Sequence, residues 1–372
     1  MSVKCQMVVD AIDKIAPQYL AEGWDNVGLL LGNPSQPISK ILVALDVTQA
    51  VADFAAEHKV DMIISHHPII FKGLKNLRTD LPHGRVLATL IKADIAVYSA
   101  HTNLDISSGG INDILAAKLE LINTIPLTTS NADKLIKLVV FVPEDHLESV
   151  RTAVTNAGAG HIGNYSHCSF HTNGTGTFLP LLNSKPFIGE QGSLEQTSEV
   201  RLETIMPESI SRKVLKSMLK AHPYEEAAFD LYPLLNQGSS LGLGRIGYLP
   251  VAQTLDQLVN MVKNRLGTSS VNVVGNGDRV IAKVAVCGGS GADLINKSVF
   301  AGADVLITGD VKYHEAQDAA AAGIAIIDAG HFATEVIIVD YLAQYLSDRA
   351  YEGKWNIEVK ADNISKDVFR RC

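Results

Sequence analysis

The chain repeats itself. SKILVALDV (39–47) precedes VDMIISHHP (60–68), and AKVAVCGGS (282–290) precedes ADVLITGDV (303–311). Lys40 to Ser65 and Lys283 to Thr308 each span 25 positions. Each copy places an apolar, β-branched run, then a helical stretch, then a second such run. Runs this apolar read as buried parallel strands. A third match follows: ADIAVYSAHTNLD (93–105) parallels AGIAIIDAGHFATE (322–335), and aligning the histidines sets His101 and Asp105 against His331 and Glu335. The first copy needs about 13 extra residues to hold that register, and FKGLKNLRTDLPHG (71–84) is a loop of that kind. Several strands matched in order point to duplication and restrict the fold to α/β, with two related halves forming one core.

The halves read as 1–123 and 248–372, with 124–247 between them. The middle segment has its own rhythm: a strand in KLIKLVVFVP, a helix in EDHLESVRTAVTNAG, a strand in SEVRLETIMPES and a helix in ISRKVLKSMLKAHP. That succession resembles a small ferredoxin-like α+β domain inserted into an older protein. At 372 residues the chain is too long for one ordinary core. Its formal net charge of −8 and lack of a basic run make nucleic acid a poor partner. Cys5, Cys168, Cys287 and Cys372 are far apart and form no C-x-x-C pair, as expected of free thiols in a reducing compartment. The first residues read as an amphipathic helix rather than a signal peptide, and no apolar run approaches the roughly 20 residues needed to span a bilayer. The expectation is a cytoplasmic protein without membrane contact.

ISHHPIIF (64–71) raises a geometric question. Neighbouring side chains on a strand point to opposite faces, so His66 and His67 cannot share a site from inside one. Pro68 is expected to end the ladder, which lets both rings turn into one cavity. In open α/β sheets the ligand crevice lies at the carboxyl ends of the strands. The repeat puts Thr308-Gly309-Asp310 at the equivalent strand end, and His101 and His331 at the ends of the next strands. Glu335 is one helical turn after His331, so both can face the same way. His66, His67, Asp105, His331 and Glu335 then form a mixed nitrogen and oxygen set that suits zinc, iron or manganese. Five ligands with two carboxylates exceed what a structural zinc needs. Two ions sharing a carboxylate would use them all and could activate water for hydrolysis.

Plainer readings stand beside these. Asp310 either caps the helix VKYHEAQDAAAAG or serves the site. His314 could be an ordinary helix-surface residue. GHIGNYSHCSFHT gathers His161, His167, Cys168 and His171 in a spacing that fits no standard zinc motif, and a hairpin with exposed histidines is expected. The glycines of VCGGSGAD make a tight turn and could also cradle a phosphate.

GWDNVGLLLG (23–32), ISHHPIIF, SAHTNLD (99–105), LITGDVKYHEAQDA (306–319) and DAGHFATE (328–335) resemble the GTP cyclohydrolase I type 2 homolog family, also called Ngg-interacting-factor-three-like. GHIGNYSHCSFHTNGTGTF and AHPYEEAAFDLYPL are similar to the insert of its longer bacterial members, which is PII- and CutA-like. The resemblance implies a dinuclear metal centre on the same five residues, with two divalent ions per chain. It implies a toroidal homohexamer, a trimer of dimers, with the sites facing its cavity. His101, Asp310, His314 and the Trp24-Asp25-Asn26 loop would line the site, with His101 or His314 carrying protons. The implied activity is hydrolysis of GTP or another small phosphorylated substrate. The residues themselves specify only a water-activating metal centre, and a ring that binds metal or an effector without turnover is the alternative.

Overall fold

The computed structural model describes residues 2–370, so Cys372 lies outside them. Two compact units emerge: one runs up to Ser130 and resumes at Leu241, and the other is Asn131–Ser240.

Among the described residues, the first unit carries two large sheets. One has the order β17 (Glu358–Ala361), β4 (Lys40–Ala44), β5 (Met62–Ser65), β6 (Ala96–Ser99), β2 (Gly28–Leu31). The other has the order β13 (Asn272–Val274), β16 (Ala325–Asp328), β15 (Val305–Gly309), β14 (Val280–Ser290), β12 (Arg245–Thr254), β7 (Ile122–Pro126). A short ribbon joins β1 (Val3–Lys4) to β3 (Pro37–Ile38). The repeat is visible in three dimensions. β4, β5 and β6 run parallel with β2 antiparallel at the edge, and β14, β15 and β16 run parallel with β13 antiparallel at the edge. Even a turn is duplicated: Asp61 accepts from the Ser39 and Lys40 amides at 2.7 and 2.9 Å, and Asp304 from the Ala282 and Lys283 amides at 2.9 and 2.8 Å. The copies differ on the other flank, where β17 runs parallel to β4 but β12 antiparallel to β14.

The apolar runs alternate between two covers, as parallel strands buried on both faces must. Ile41, Val43, Met62 and Ile64 pack under α1 (Cys5–Ile15) and α12 (Ile337–Glu352), while Leu42, Ala44, Ile63 and Val97 pack under α2 (Gln49–Glu57) and α3 (Pro82–Lys92). In the second sheet Val284, Val286, Val305 and Ile307 meet α5 (Ile111–Lys118) and α8 (Leu255–Leu266), and Ala285, Leu306 and Ile326 meet α9 (Ile295–Phe300) and α10 (Tyr313–Ala321). The halves therefore exchange helices. Ile338, Val339 and Leu342 of the second copy bury against the first sheet, and Leu115 and Ala116 of the first copy against the second. Each such aliphatic side chain contributes about 1.5–3 kcal/mol on burial, so neither half has a closed core alone. Arg245, 2% exposed, pins the exchange. It binds Asp113 through Nε and Nη2 at 2.5 and 2.8 Å and donates to the carbonyls of Gly242, Gly244 and Ser107.

The second unit runs β8 (Asn131–Pro143), α6 (Leu147–Asn156), β9 (Ser169–Phe178), β10 (Glu195–Pro207), α7 (Ser211–Ala221), β11 (Phe229–Leu241), in the sheet order β11-β8-β10-β9. Leu138, Val140, Val142, Leu202 and Met206 pack against Val150, Val154, Val214 and Met218 of the two helices. Glu199, Arg201 and Glu203 alternate with these on β10 and so occupy the opposite face. An Ile162–Tyr165 bridge precedes β9, and His161, His167 and His171 are exposed. The connections to this unit still pair within the first: the Leu127, Thr128 and Ser130 amides donate to the carbonyls of Gly244, Leu243 and Leu241 at 3.2, 3.1 and 2.9 Å. The compact division thus falls at 130 and 241, inside the 124–247 expected from sequence. No helix among the described residues is long and apolar enough to cross a membrane.

Candidate metal centre

The ladder does not stop at Ser65. The His66 and His67 amides still donate to the carbonyls of Ala44 and Leu45, at 3.2 and 3.0 Å. Ser65 Oγ then donates to the His67 carbonyl at 2.9 Å, which folds the strand end back before Pro68. That bend brings the two rings to a centroid separation of 5.0 Å. From the neighbouring strand, β6 leads through His101 into α4 (Thr102–Ile106), which carries Asp105. In the second copy β16 leads into α11 (His331–Glu335), whose first and last residues are the i, i+4 pair. All five residues read as ligands meet at one point.

Glu335 sits in the middle with its side chain 5% exposed. Its Oε1 lies 3.7 Å from His66 Nε2, and its Oε2 lies 3.0 Å from His67 Nε2 and 2.9 Å from His331 Nε2. Asp105 Oδ1 lies 3.6 Å from His66 Nε2, and the Nε2 atoms of His67 and His331 are 3.2 Å apart.

What each imidazole does with its other nitrogen fixes the chemistry. His66 Nδ1 faces the Ala100 carbonyl at 2.8 Å, His67 Nδ1 faces Asp46 at 2.7 Å, His101 Nδ1 faces Asp25 at 2.9 Å and His331 Nδ1 faces Asp310 at 2.7 Å. A carbonyl or carboxylate oxygen can only accept, so each Nδ1 is the donor. The neutral rings must then present the lone pair on Nε2. This is the arrangement that orients histidine ligands in metal sites. His66 Nε2, Asp105 Oδ1 and Glu335 Oε2 are buried and lack a hydrogen-bond partner. A buried acceptor left so costs about 1–3 kcal/mol, and cations held among these side chains would satisfy all three. Gly289, at φ +62°, is the wall: a Cβ there would stand 2.1 Å from Glu335 Oε1 and 3.2 Å from His331 Nε2. Two groups could hold a metal ion, His67-His331-Glu335 and His66-His67-His101, each with ligand atoms within 4.8 Å of one another. The residues fit a metal.

With only protons to supply positive charge, the centre draws them in. Burial opposes charge on His67, but the Asp46 and Glu335 carboxylates outweigh it and push it up to about 10. Glu335 beside it raises His331 to about 9. Burial lifts Asp105 to about 6 against the pull of His66. Burial also works against Glu335, yet the His331, His66 and His67 rings, when protonated on Nε2 as well, hold its carboxyl well below the usual range. Burial likewise opposes the charge of Asp25, but His101 and Thr102 hold it down at about 2.

The remaining candidates separate. Asp310, at φ +56°, spends its carboxylate on His331; the cap of α10 is Lys312 with Glu315, so the helix-cap reading of Asp310 does not hold. His314 is exposed on α10, and its Nδ1 faces Gln317 at 3.2 Å; the structure does not bring it to the centre. Trp24 stands 6.1 Å from the His101 ring and 5.7 Å from Phe71. Of the two readings of VCGGSGAD, the phosphate cradle is not built. The Gly288 and Gly289 amides donate to Asn112 Oδ1 and Thr334 Oγ1, which leaves no nest for an anion. Asp46 escaped the sequence reading; its one signal is an acidic residue just past β4, at the position where the second copy has Gly289. A cleft of about 1160 Å³ opens from the centre, lined among others by His67, His331, Asp310, Lys366 and Arg370.

The model of the Duf34/NIF3 (NGG1p interacting factor 3) family matches residues 3–367. A Bacillus subtilis protein named GTP cyclohydrolase 1 type 2 homolog is 44% identical over 368 residues, 99% of this chain and 98% of that one. A Halalkalibacterium halodurans protein of the same name is 44% identical over 98% of both chains. Among solved structures, a Bacillus cereus protein related to NIF3 superposes with a TM-score of 0.94 at 44% identity over the whole of both chains. A Staphylococcus aureus protein superposes with a TM-score of 0.77 at 30% identity, over 100% of this chain and 99% of that one.

Proposed function

The chain belongs to the Duf34/NIF3 family, and on that premise we propose that it is a dinuclear metal-dependent hydrolase of a small phosphorylated substrate. The observation that carries the reading is the division of Glu335. One oxygen faces His66, beside Asp105, and the other faces His67 and His331. A carboxylate so placed can bridge two ions, one held by His66 and Asp105, the other by His67 and His331. Bound there, two zinc, iron or manganese ions would lower the pKa of a water and offset charge on a substrate oxygen. The rest falls to the chain. Asp46 and Asp310 fix the rings of His67 and His331. His101, held by Asp25, keeps a nitrogen within 4.8 Å of His66 and His67 to accept and return a proton. Lys366 and Arg370 line the cleft and suit a phosphate.

The name carried by the Bacillus subtilis and Halalkalibacterium halodurans relatives makes GTP the first substrate to try. The insert as a PII/CutA-like module, a homohexamer built as a trimer of dimers, and a cytoplasmic location belong to the same proposal. The strand order of the insert supports the first of these.

The test is GTP turnover by protein reconstituted with zinc or manganese, read by mass spectrometry, with Asp105→Asn and Glu335→Gln beside it and metal content measured for each. Product from the native chain alone establishes a hydrolase. Full metal loading without product from GTP or a phosphoester panel overturns it in favour of a non-catalytic metal-binding assembly.

A further inference from the structure

A second cavity, of about 670 Å³, lies wholly within the insert. Its floor is the sheet face that carries Glu199 and Arg201, and its sides come from the segment 178–188 and the turn after α7. Its size suits a small organic molecule.

Three aromatic rings line it. Tyr224 is flanked by Phe178 at 6.0 Å and 58° and by Phe187 at 6.1 Å and 48°. The tilted rings present both faces and edges to the space. Set among them is a half-buried carboxylate. Tyr224 donates its hydroxyl to Glu199 Oε1 at 2.9 Å. Glu199 lies flat against the neighbouring strand because that strand has glycine there: a Cβ on Gly176 would meet its Oε2 at 2.1 Å. No cation is paired with Glu199 among the described residues. The adjacent Arg201 is turned to Glu203 at 3.0 Å, which also takes Lys137 at 2.8 Å. Glu225 and Glu226 also line the cavity, Glu225 accepting from the Lys185 amide at 2.7 Å, so three carboxylates face it against the one guanidinium of Arg201. A wall of π-faces with that surplus of negative charge attracts a soft organic cation. The surplus repels an anion, and the aromatic rings favour an organic cation over a bare divalent ion, which takes a shell of oxygens.

We propose that this cavity is a binding site for an organic cation, a quaternary or alkylated amine. The cation's apolar shell meets Phe178, Phe187 and Tyr224, and its charge faces Glu199.

The test is calorimetry on the full chain with choline and benzyltrimethylammonium, against 3,3-dimethylbutanol, the uncharged isostere of choline. Choline is expected to bind about tenfold more tightly than the alcohol, the scale of one desolvated cation–π and carboxylate contact. Glu199→Gln keeps the length and a bond to Tyr224 but removes the charge; it should weaken choline about tenfold and leave the alcohol unchanged. Phe187→Leu, on an exposed stretch, should weaken both cations while keeping an apolar wall. Equal affinities for choline and the alcohol, no binding of either cation at millimolar concentration, or an unaltered Glu199→Gln would overturn the assignment.

Discussion

Gly289→Ala probes the centre without touching a ligand. The added methyl has two separable effects. The first is backbone strain. Gly289 sits at φ +62°, where an L-residue costs roughly 1–2 kcal/mol. The second is steric. The new Cβ would lie 2.1 Å from Glu335 Oε1, whereas ordinary contact begins at 3.4 Å, so that oxygen must retreat by roughly 1.3 Å. Glu335 is the group both halves of the centre share, so its displacement should lower metal affinity by about 10–100-fold, as the loss of a supporting contact does elsewhere. Gly267→Ala is the matched control: it has φ +67° at the end of α8, and an added Cβ there meets nothing within 4 Å. Both variants should lose about 1–2 kcal/mol in urea denaturation of the metal-free protein. Only Gly289→Ala should lose a further 1.4–2.7 kcal/mol, roughly, when zinc is present in excess. Zinc affinity is read by competition with a chelator. Equal zinc affinity in the two variants would refute the placement of Glu335 against Gly289, and with it the shape of the site.

Three further outcomes are expected. Arg245→Ala removes the cation beside Asp113 and the guanidinium bonds to the Gly242, Gly244 and Ser107 carbonyls, and should destabilise the first unit by about 3–5 kcal/mol in urea; a change under about 1 kcal/mol would show that the bond set is replaceable by water. Burial lowers the pKa of His222 below its ordinary 6.5, where it donates to the Phe141 carbonyl at 2.9 Å. A depressed pKa means stability that is full above 6.5 and drains as pH falls through the folded value. Amide protection in the insert, taken relative to the intrinsic exchange rate at each pH, should therefore fall on acidification below that point, and His222→Gln should flatten the trend. Removing 131–240 and joining Ser130 to Leu241 through a short glycine linker should leave a folded, metal-binding first unit, because the Ser130 amide already bonds the Leu241 carbonyl at 2.9 Å; aggregation of that chain would show that the core needs the insert.

Much of this was legible because the signals are periodic. Buried parallel strands write themselves as β-branched runs, so β4, β5, β14 and β15 could be matched by eye. His331 and Glu335 are one helical turn apart, and their facing follows from spacing alone. What escaped came from turns and from distant chain. Asp46 bonds His67 across two neighbouring strand ends, a relation with no period to betray it. The two readings left open for Asp310 have the same origin: a carboxylate before a helix suggests a cap as readily as a site residue, and only the position of His331 shows where it points. The exchange of α5 and α12 between the sheets was invisible too, since an amphipathic helix does not record which sheet it will cover. The aromatic wall of the insert draws on two separate segments, each unremarkable alone.

The exchange of helices and the shared Glu335 have a consequence for synthesis. His66, His67 and Asp105 emerge from the ribosome early, and until residue 335 follows they have neither the Glu335 carboxylate nor the cover of α12. The entire insert is made in that interval. A nascent chain can offer passing metal only a partial grip. The complete site appears at the moment the two copies close on each other, so metal capture under the proposed function would report that the last turn of the fold has been made.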